Sequence, residues 1–433
     1  MKTQAQILEK LGIARLNKMQ EEARKAVLHH EEIVLLSPTG TGKTLAFLLP
    51  MLERLKPGLQ QVQALIVVPS RELATQIEAV AREMGSGYKI NAFYGGRPGA
   101  KDREELKTPP AILIGTPGRL ADHFSRKNIN SDYIRMLVLD EFDKSLEVGF
   151  EVEMKEIMRA LPNLDRKMLT SATRLDEQPD FLRLKDPVVI DHLDARSSKL
   201  ALRTVIAPDK DKLATLYDLL AYCKGSGIIF CNFKATVDYV ADYLDDRGVE
   251  YVEFHGDLEQ MDREQSLIRF RNGTYRFLLA TDLAARGIDV PKLDFIIHYQ
   301  VPAQAAEFTH RNGRTARMNA SGTAYVLRWA EGTLPDYLEE PEVLELPTQI
   351  ADVEASAWKT LHLSAGRKGK ISKGDVAGLF FKVGGLQKGE LGIIELNRDH
   401  VYVAVAEDKA EAVARKLNNQ KIKGRKVRVR VMY

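Results

Sequence analysis

Ser37-Pro38-Thr39-Gly40-Thr41-Gly42-Lys43-Thr44 follows four apolar positions, Ile33 to Leu36, and runs into a second apolar stretch, Leu45 to Leu49. Read as strand, tight loop and helix, this string turns successive backbone N–H groups toward one point at a helix N-terminus, where the macrodipole also favours negative charge. The result is a cradle for a polyphosphate. Lys43 would reach the outer phosphates, and the Thr44 hydroxyl would ligate Mg²⁺. The pattern G-x-x-x-x-G-K-[ST] asks for Gly where this chain has Ser37. The plain structural alternative is a Gly-rich turn that happens to end in Lys-Thr.

A second constellation is Asp140-Glu141, which follows the apolar run Met136 to Leu139. Two adjacent carboxylates at the end of a buried strand suit a nucleotide-hydrolysing site: Asp140 for Mg²⁺, Glu141 to orient or deprotonate the attacking water. An acidic helix start is the alternative, since Lys144-Ser145-Leu146 continues helically. Farther on, His310-Arg311-Asn312-Gly313-Arg314-Thr315-Ala316-Arg317 places three arginines within seven positions. Arginine binds phosphate in a bidentate manner and stabilises phosphoryl-transfer charge.

The elements that must position these residues alternate. Strands are expected at 33–36, 64–68, 90–94, 111–115, 137–140 and 167–170, separated by helix-length amphipathic stretches. Such alternation predicts a parallel sheet with helices on both faces, where ligands sit at the carboxyl ends of the strands. The polar clusters fall there: Ser70-Arg71, Gly95-Gly96, Thr116 to Arg119, Asp140 to Asp143 and Ser171 to Thr173. After a polar, aperiodic linker at 191–199, a second alternating block has strands at 227–231, 251–254, 277–280, 295–299 and 323–327. It has no phosphate loop of its own, yet it carries Arg286 to Asp289 and the arginine cluster, which predicts a site shared by two lobes.

Length and composition bound the rest. At 433 residues the chain should hold two or three domains, and 44% hydrophobic with 28% charged residues is an ordinary soluble composition. No run approaches the roughly 20 apolar residues of a membrane helix, and the N-terminus is not of signal-peptide type, so a cytoplasmic protein without membrane contact is expected. Cys223 and Cys231 are too few for a disulfide framework or zinc site and read as core residues. His123 and His298 read as structural, and no metal beyond Mg²⁺ is expected. From Ser356 to Tyr433 there are 17 Lys/Arg against 7 Asp/Glu, a basic module on an acidic body. That asymmetry suggests a polyanion partner, with a solvated charged face as the bland reading. Nothing resembles a coiled-coil seam, so a monomer is expected.

Over residues 1 to 340 these motifs, in this order, resemble the DEAD-box RNA helicases of superfamily 2. The resemblance implies two tandem RecA-like lobes, 1–192 and 200–345, with ATP and Mg²⁺ as cofactors and RNA as partner. It implies adenine recognition by Gln20 and nucleotide contacts from Ser37, Thr39, Gly40, Thr41, Gly42, Lys43, Thr44 and Asp289, with Thr44 and Asp140 on the metal. Lys43, Asp140, Glu141, His310, Arg314 and Arg317 are implied in catalysis, the last two arginines as fingers. Asp143, Ser171 and Thr173 would couple hydrolysis to RNA. Arg71, Gly96, Thr116, Arg119, Arg263, Thr281 and Arg286 match the RNA-backbone motifs. The chain departs from the family pattern at Phe142, where a small residue is usual, at Ala316, where Gly is usual, and around Gln20. There Leu16-Asn17 replaces Pro-Thr and Thr3 stands where an aromatic residue is usual, so looser selectivity for ATP is expected.

The tail reads as strand, helix, two strands, helix, strand, the ferredoxin-like order of an RNA-recognition motif, over 356–433. His362 and Tyr402 are nearly the only rings its central strands offer, so phosphate contacts by Lys368, Lys370, Lys423 and Arg425 are expected in place of base stacking. The stretches GRKGKISKGD, VYVAV and KIKGRKVRVR are similar to the DbpA-type RNA-binding domain of bacterial ribosomal-RNA helicases. That similarity implies structured large-subunit ribosomal RNA as partner. The alternatives are a general RNA helicase, an ATP-gated RNA clamp or scaffold, and a DNA helicase of the same superfamily.

Overall fold

The computed structural model describes residues 2–147, 149–174, 179–193, 200–282, 290, 293–315 and 322–432. The chain divides into two compact units near residue 198.

The first unit is built on seven strands: β1 (Glu32–Leu36), β2 (Ala64–Val67), β3 (Ile90–Phe93), β4 (Ile112–Gly115), β5 (Met136–Leu139), β6 (Arg166–Ser171) and β7 (Val188–Asp191). They form one parallel sheet in the order β3-β4-β2-β5-β6-β1-β7. All four residues of each of β2 to β5 are buried. A strand covered on both faces needs such an unbroken apolar run. The order places β5, β6 and β1 side by side, so the loops leaving their carboxyl ends at Asp140, Ser171 and Ser37 adjoin one another. That adjacency assembles the site. β7, just before the expected linker, extends the sheet with a strand that was not expected; only Ile190 of it is buried, so it lacks the apolar run that marks the others.

The second unit repeats the plan with β8 (Leu200–Ala207), β9 (Gly227–Cys231), β10 (Tyr251–Phe254), β11 (Phe277–Thr281), β12 (Phe295–His298), β13 (Gly322–Trp329) and the short β14 (Glu342–Val343), ordered β10-β11-β9-β12-β13-β8-β14. β8 was also unforeseen, its burial being as irregular as that of β7. The same unit contains the tail, whose sheet β16-β17-β15-β20 comprises β15 (Trp358–Leu363), β16 (Leu391–Leu396), β17 (Val401–Ala406) and β20 (Val429–Met432). All its pairings are antiparallel. The last strand expected of the tail is β20, and a small hairpin, β18 (Lys421–Ile422) with β19 (Arg425–Lys426), precedes it.

The two sheets of this unit are joined by a seam at the end of the helix Gln260–Arg271. Alternation sends Leu361, Leu363, Val401, Val403 and Val405 into the tail core. Thr360 and Tyr402 therefore stand on the opposite face. That face is covered by the second lobe: Ile268 packs with Tyr402 and Met432. Asn272 Nδ2 donates to Thr360 Oγ1 at 3.2 Å, and the Thr274 and Thr360 hydroxyls share a 2.7 Å hydrogen bond. Arg271 grips Glu395 in a bidentate manner, with Nε at 2.8 Å and Nη2 at 3.1 Å. Gly273 turns the chain at φ +77°, a left-handed conformation that favours glycine, in contact with Trp358.

Candidate nucleotide site and RNA-binding surface

At the end of β1 the loop Ser37 to Gly42 closes on itself. Lys43 Nζ donates to the carbonyls of Ser37 at 2.6 Å and Pro38 at 3.2 Å, and Ser37 Oγ bonds Thr41 Oγ1 at 2.9 Å. Gly40 and Gly42 both have positive φ, and the helix Lys43–Arg54 starts at Lys43. Lys43 thus fills the loop with its own ammonium, a cation resting where phosphate charge would draw it outward. Thr39 and Thr44 are half-buried in the same turn.

Gln20 is placed on this loop by a capping box. Asn17 caps the helix Lys18–His29, its Oδ1 accepting from the Gln20 N–H at 2.9 Å while Gln20 Oε1 accepts from the Asn17 N–H at 3.0 Å. The spare amide groups reach across: Asn17 Nδ2 donates to the Thr41 carbonyl and Gln20 Nε2 to that of Gly42. A Cβ on Gly42 would lie 2.5 Å from Gln20 Nε2, so only glycine fits there. Asn17, singled out in the sequence only as a departure, is one of the two residues tying this helix to the loop.

At the end of β5, Asp140 is buried and hydrogen-bonded by the Thr170 hydroxyl. Burial pushes its carboxyl up to about 6, helped by the neighbouring Glu141 and opposed by Thr170 and Lys43. Glu141 has φ +48°, a left-handed turn that starts the helix Phe142–Glu147. Asp143 accepts a 2.8 Å hydrogen bond from Thr173 Oγ1, and Ser171 Oγ holds the turn by accepting from the Thr173 N–H at 3.0 Å. The expected coupling residues therefore touch. Phe142 is wholly buried in the core beneath, so the larger side chain is accommodated by packing. This arrangement fits a divalent cation: a buried carboxylate that is costly to ionise alone lies beside the phosphate loop.

Two more sets of predicted residues meet in the first unit. The Arg71 guanidinium lies against Gly95 and Gly96, where a Cβ on Gly96 would be 2.7 Å from Nη1. Arg119 donates through Nε to Asp102 at 2.8 Å and through Nη2 to the Arg97 carbonyl, while Thr116 begins its helix, Pro117–Ser125. Asp102 is fully buried and also faces Arg97 and His123. The side-chain hydrogen bonds of His123 and Arg119 and the two guanidinium charges outweigh its burial and hold its carboxyl below the usual range. Asp102 carried no signal in the sequence; it is one acid among several in a helical stretch.

In the second unit the arginine cluster separates by role. Arg311 is 2% exposed and fully engaged: Nε to Asp282 Oδ1 at 2.6 Å, Nη1 to the Gln300 carbonyl at 2.6 Å and Nη2 to Asn232 Oδ1 at 2.7 Å. It braces the carboxyl ends of β9, β11 and β12. His310 and Arg314 are buried at the end of the same helix, Ala305–Asn312. Arg263 sits over the Phe254 ring at 5.0 Å, and Thr281 ends β11. Arg286, Asp289 and Arg317 lie outside the described residues.

On the tail, the two basic runs converge. Lys423 Nζ donates to the Lys370 carbonyl at 2.9 Å, and Arg425 lies against Gly369. Lys368, Lys370, Lys423 and Arg425 are all exposed, forming one cationic patch. On the sheet face, Tyr402 packs against the second lobe, and His362, His400 and Tyr402 contact one another with centroids 5.0 to 5.7 Å apart.

Comparison with known proteins bears on all three parts. The DEAD/DEAH box helicase family matches residues 17–180, the helicase conserved C-terminal domain 211–319 and the DbpA RNA binding domain 360–431. The ATP-dependent RNA helicase DbpA of Escherichia coli is 34% identical, covering 98% of this chain and 96% of its own. DbpA of Bacillus subtilis is 31% identical with the same coverage. This chain belongs to the DbpA-type DEAD-box ATP-dependent RNA helicases. A structure of S. cerevisiae Dbp5 bound to RNA and ADP BeF3 matches this helicase with TM-score 0.68 at 28% identity, covering 75% of this chain and 87% of that one. Both lobes thus have the RecA-like fold, and ATP is the nucleotide of this enzyme class. Among the described residues of this helicase no helix is long and apolar enough to cross a membrane.

Proposed function

We propose that this DbpA-type helicase hydrolyses ATP to remodel structured RNA, and that its RNA is large-subunit ribosomal RNA undergoing assembly. The observation that carries the reading is the tail. Its exposed cations gather in one patch formed by two separate loops, while the sheet face on which such domains stack bases packs against the second lobe. Recognition by phosphate position suits a folded RNA whose backbone has a fixed shape.

In this reading Lys43 leaves the Ser37 and Pro38 carbonyls for the outer phosphates, and Gln20 and Asn17 hold the loop. Thr44 and Asp140 hold Mg²⁺, which supplies charge neutralisation at the phosphates. Glu141 orients the attacking water, and Arg314 with Arg317 offsets the charge developed in phosphoryl transfer. Contact between Asp143 and Thr173 links hydrolysis to the RNA residues Arg71, Gly96, Thr116, Arg119, Arg263, Thr281 and Arg286.

The test is steady-state ATP hydrolysis with no RNA, generic RNA, total ribosomal RNA and matched DNA, together with displacement of a short RNA duplex. Selective stimulation by ribosomal RNA is expected, and Glu141→Gln should lower turnover by on the order of 10² or more with RNA affinity retained. Equal stimulation by every RNA would refute the ribosomal assignment. Hydrolysis without strand displacement would make the protein an ATP-gated clamp.

A further inference from the structure

The stretch from Asp238 to Asp262 contains nine carboxylates and one arginine. These acids belong to the edge of the second sheet. β10 is the outermost strand, paired on one side only, with β11. The connections from β9 to β10 and from β10 back to β11 run in opposite directions across the sheet. Right-handed crossover then puts the helices Lys234–Asp245 and Gln260–Arg271 on opposite faces. The edge of β10 lies open between them as a groove of about 640 Å³, lined by Gly248 to Glu253, by Asp245 from one helix and by Asp262 and Arg269 from the other.

Carboxylates stand on both flanks of this edge, with Arg269 beside Asp262 on the second. Asp245 lines the groove with Tyr251, and Glu253 lies with Asp238 and His255, their oxygen and nitrogen atoms within 4.8 Å of one another. Asp262 and Glu250 are exposed on the groove. Tyr251 and Tyr275 supply the apolar wall. Cations already take places here: Lys359, from the first strand of the tail, pairs with Glu250 at 2.9 Å, and Lys234 pairs with Asp238 at 2.8 Å. The groove is therefore continuous with the seam between tail and lobe. A phosphate backbone would be repelled from it, whereas an unpaired strand edge with carboxylates on both flanks suits an extended cationic chain.

We propose that the β10 edge is a docking site for a Lys/Arg-rich protein segment, which adds as a strand to β10 while its side chains meet Asp238, Asp245 and Glu253 on one flank and Asp262 on the other. Main-chain hydrogen bonds supply the pairing and the carboxylates supply the selection. An RNA helicase would thereby hold a basic protein beside the RNA it remodels.

The test uses the full chain and a fluorescent ten-residue peptide of alternating Lys and Arg with Val and Thr, followed by anisotropy. Saturable binding that weakens steeply with salt is expected. The double variant Asp245→Lys with Glu253→Lys should weaken it at least about tenfold while RNA-stimulated ATPase stays at the wild-type level, which also reports folding. A peptide N-methylated at alternate residues keeps its charge but cannot pair with an edge, and it should lose binding on the unaltered protein. Equal binding by the N-methylated peptide or by the double variant would overturn the proposal. Binding that requires added Zn²⁺ and is lost with a chelator would assign Asp238, Glu253 and His255 to a metal, and would overturn it too.

Discussion

Asp140 shows how the nucleotide site trades stability for function. Its carboxyl, ordinarily near 3.8, is pushed up to about 6 because burial disfavours the charge. A raised carboxyl binds its proton more tightly in the folded state than in the unfolded one. Its contribution is therefore fully present below about pH 4 and is lost as pH rises through 6. At pH 8 the nucleotide-free, Mg²⁺-free protein carries an ionised group that costs on the order of 3 kcal/mol. Asp140→Asn should raise the melting temperature of the first lobe at pH 8 by roughly 6 to 12 °C. The gain should fall to about half at pH 5, where the unfolded carboxyl is still largely ionised, and ATP hydrolysis should be lost throughout. Thermal unfolding at both pH values, without nucleotide or divalent metal, measures this; a variant less stable at pH 8 would contradict the assignment of cost to charge.

The same scale shows what could be read in advance. Lys43, Thr44, Asp140 and Glu141 were legible because a strand, a loop and the following helix are contiguous, so local spacing determines where each side chain emerges. Residue type alone does not separate Arg311 from Arg314 and Arg317, which only the family resemblance set apart as fingers: three arginines at spacings of three look alike until the Asp282 carboxylate and the Asn232 and Gln300 oxygens show that Arg311 is consumed as a brace. Asp102 was invisible for the same reason: its partners Arg97 and Arg119 are brought to it by the fold.

At the scale of elements, periodicity identified the buried strands and failed at the margins. β7 and β8 are partly exposed and carry no continuous apolar run, so their pairing with β1 and β13 depends on the sheet already being there. The seam is wholly non-local: the end of the helix Gln260–Arg271 meets β15 and β16 about a hundred residues later. Its bidentate Arg271–Glu395 pair is more than half buried and joins two elements that have no other covalent restraint nearby. A charge-assisted pair of this kind is worth roughly 1.5 to 3 kcal/mol. Arg271→Glu should therefore loosen the tail, seen as faster amide exchange across β15 and β16, and should lower stimulation by structured RNA severalfold. Adding Glu395→Arg restores the pair in reverse and should recover both. Recovery of neither would place the energy of the seam in Ile268, Tyr402 and Thr360 instead.

Over the whole molecule, charge is partitioned. The tail carries the excess of cations and the remainder an excess of acids, nine of which fall between Asp238 and Asp262. RNA selection should then reside in the tail and motor function in the lobes. Deleting residues 356–433 should abolish any preference for ribosomal over generic RNA while leaving hydrolysis at saturating RNA. Deletion also uncovers Ile268, Asn272 and Thr274, so by itself it confuses lost contacts with an exposed seam. Lys368→Ala with Arg425→Ala resolves the two, because both side chains are exposed and neither belongs to the seam. In the intact chain this pair should weaken ribosomal RNA binding and flatten its dependence on salt by about 0.7 to 0.9 in log–log slope for each phosphate contact removed. An unchanged slope in the double variant, with preference lost on deletion, would locate recognition elsewhere on the tail.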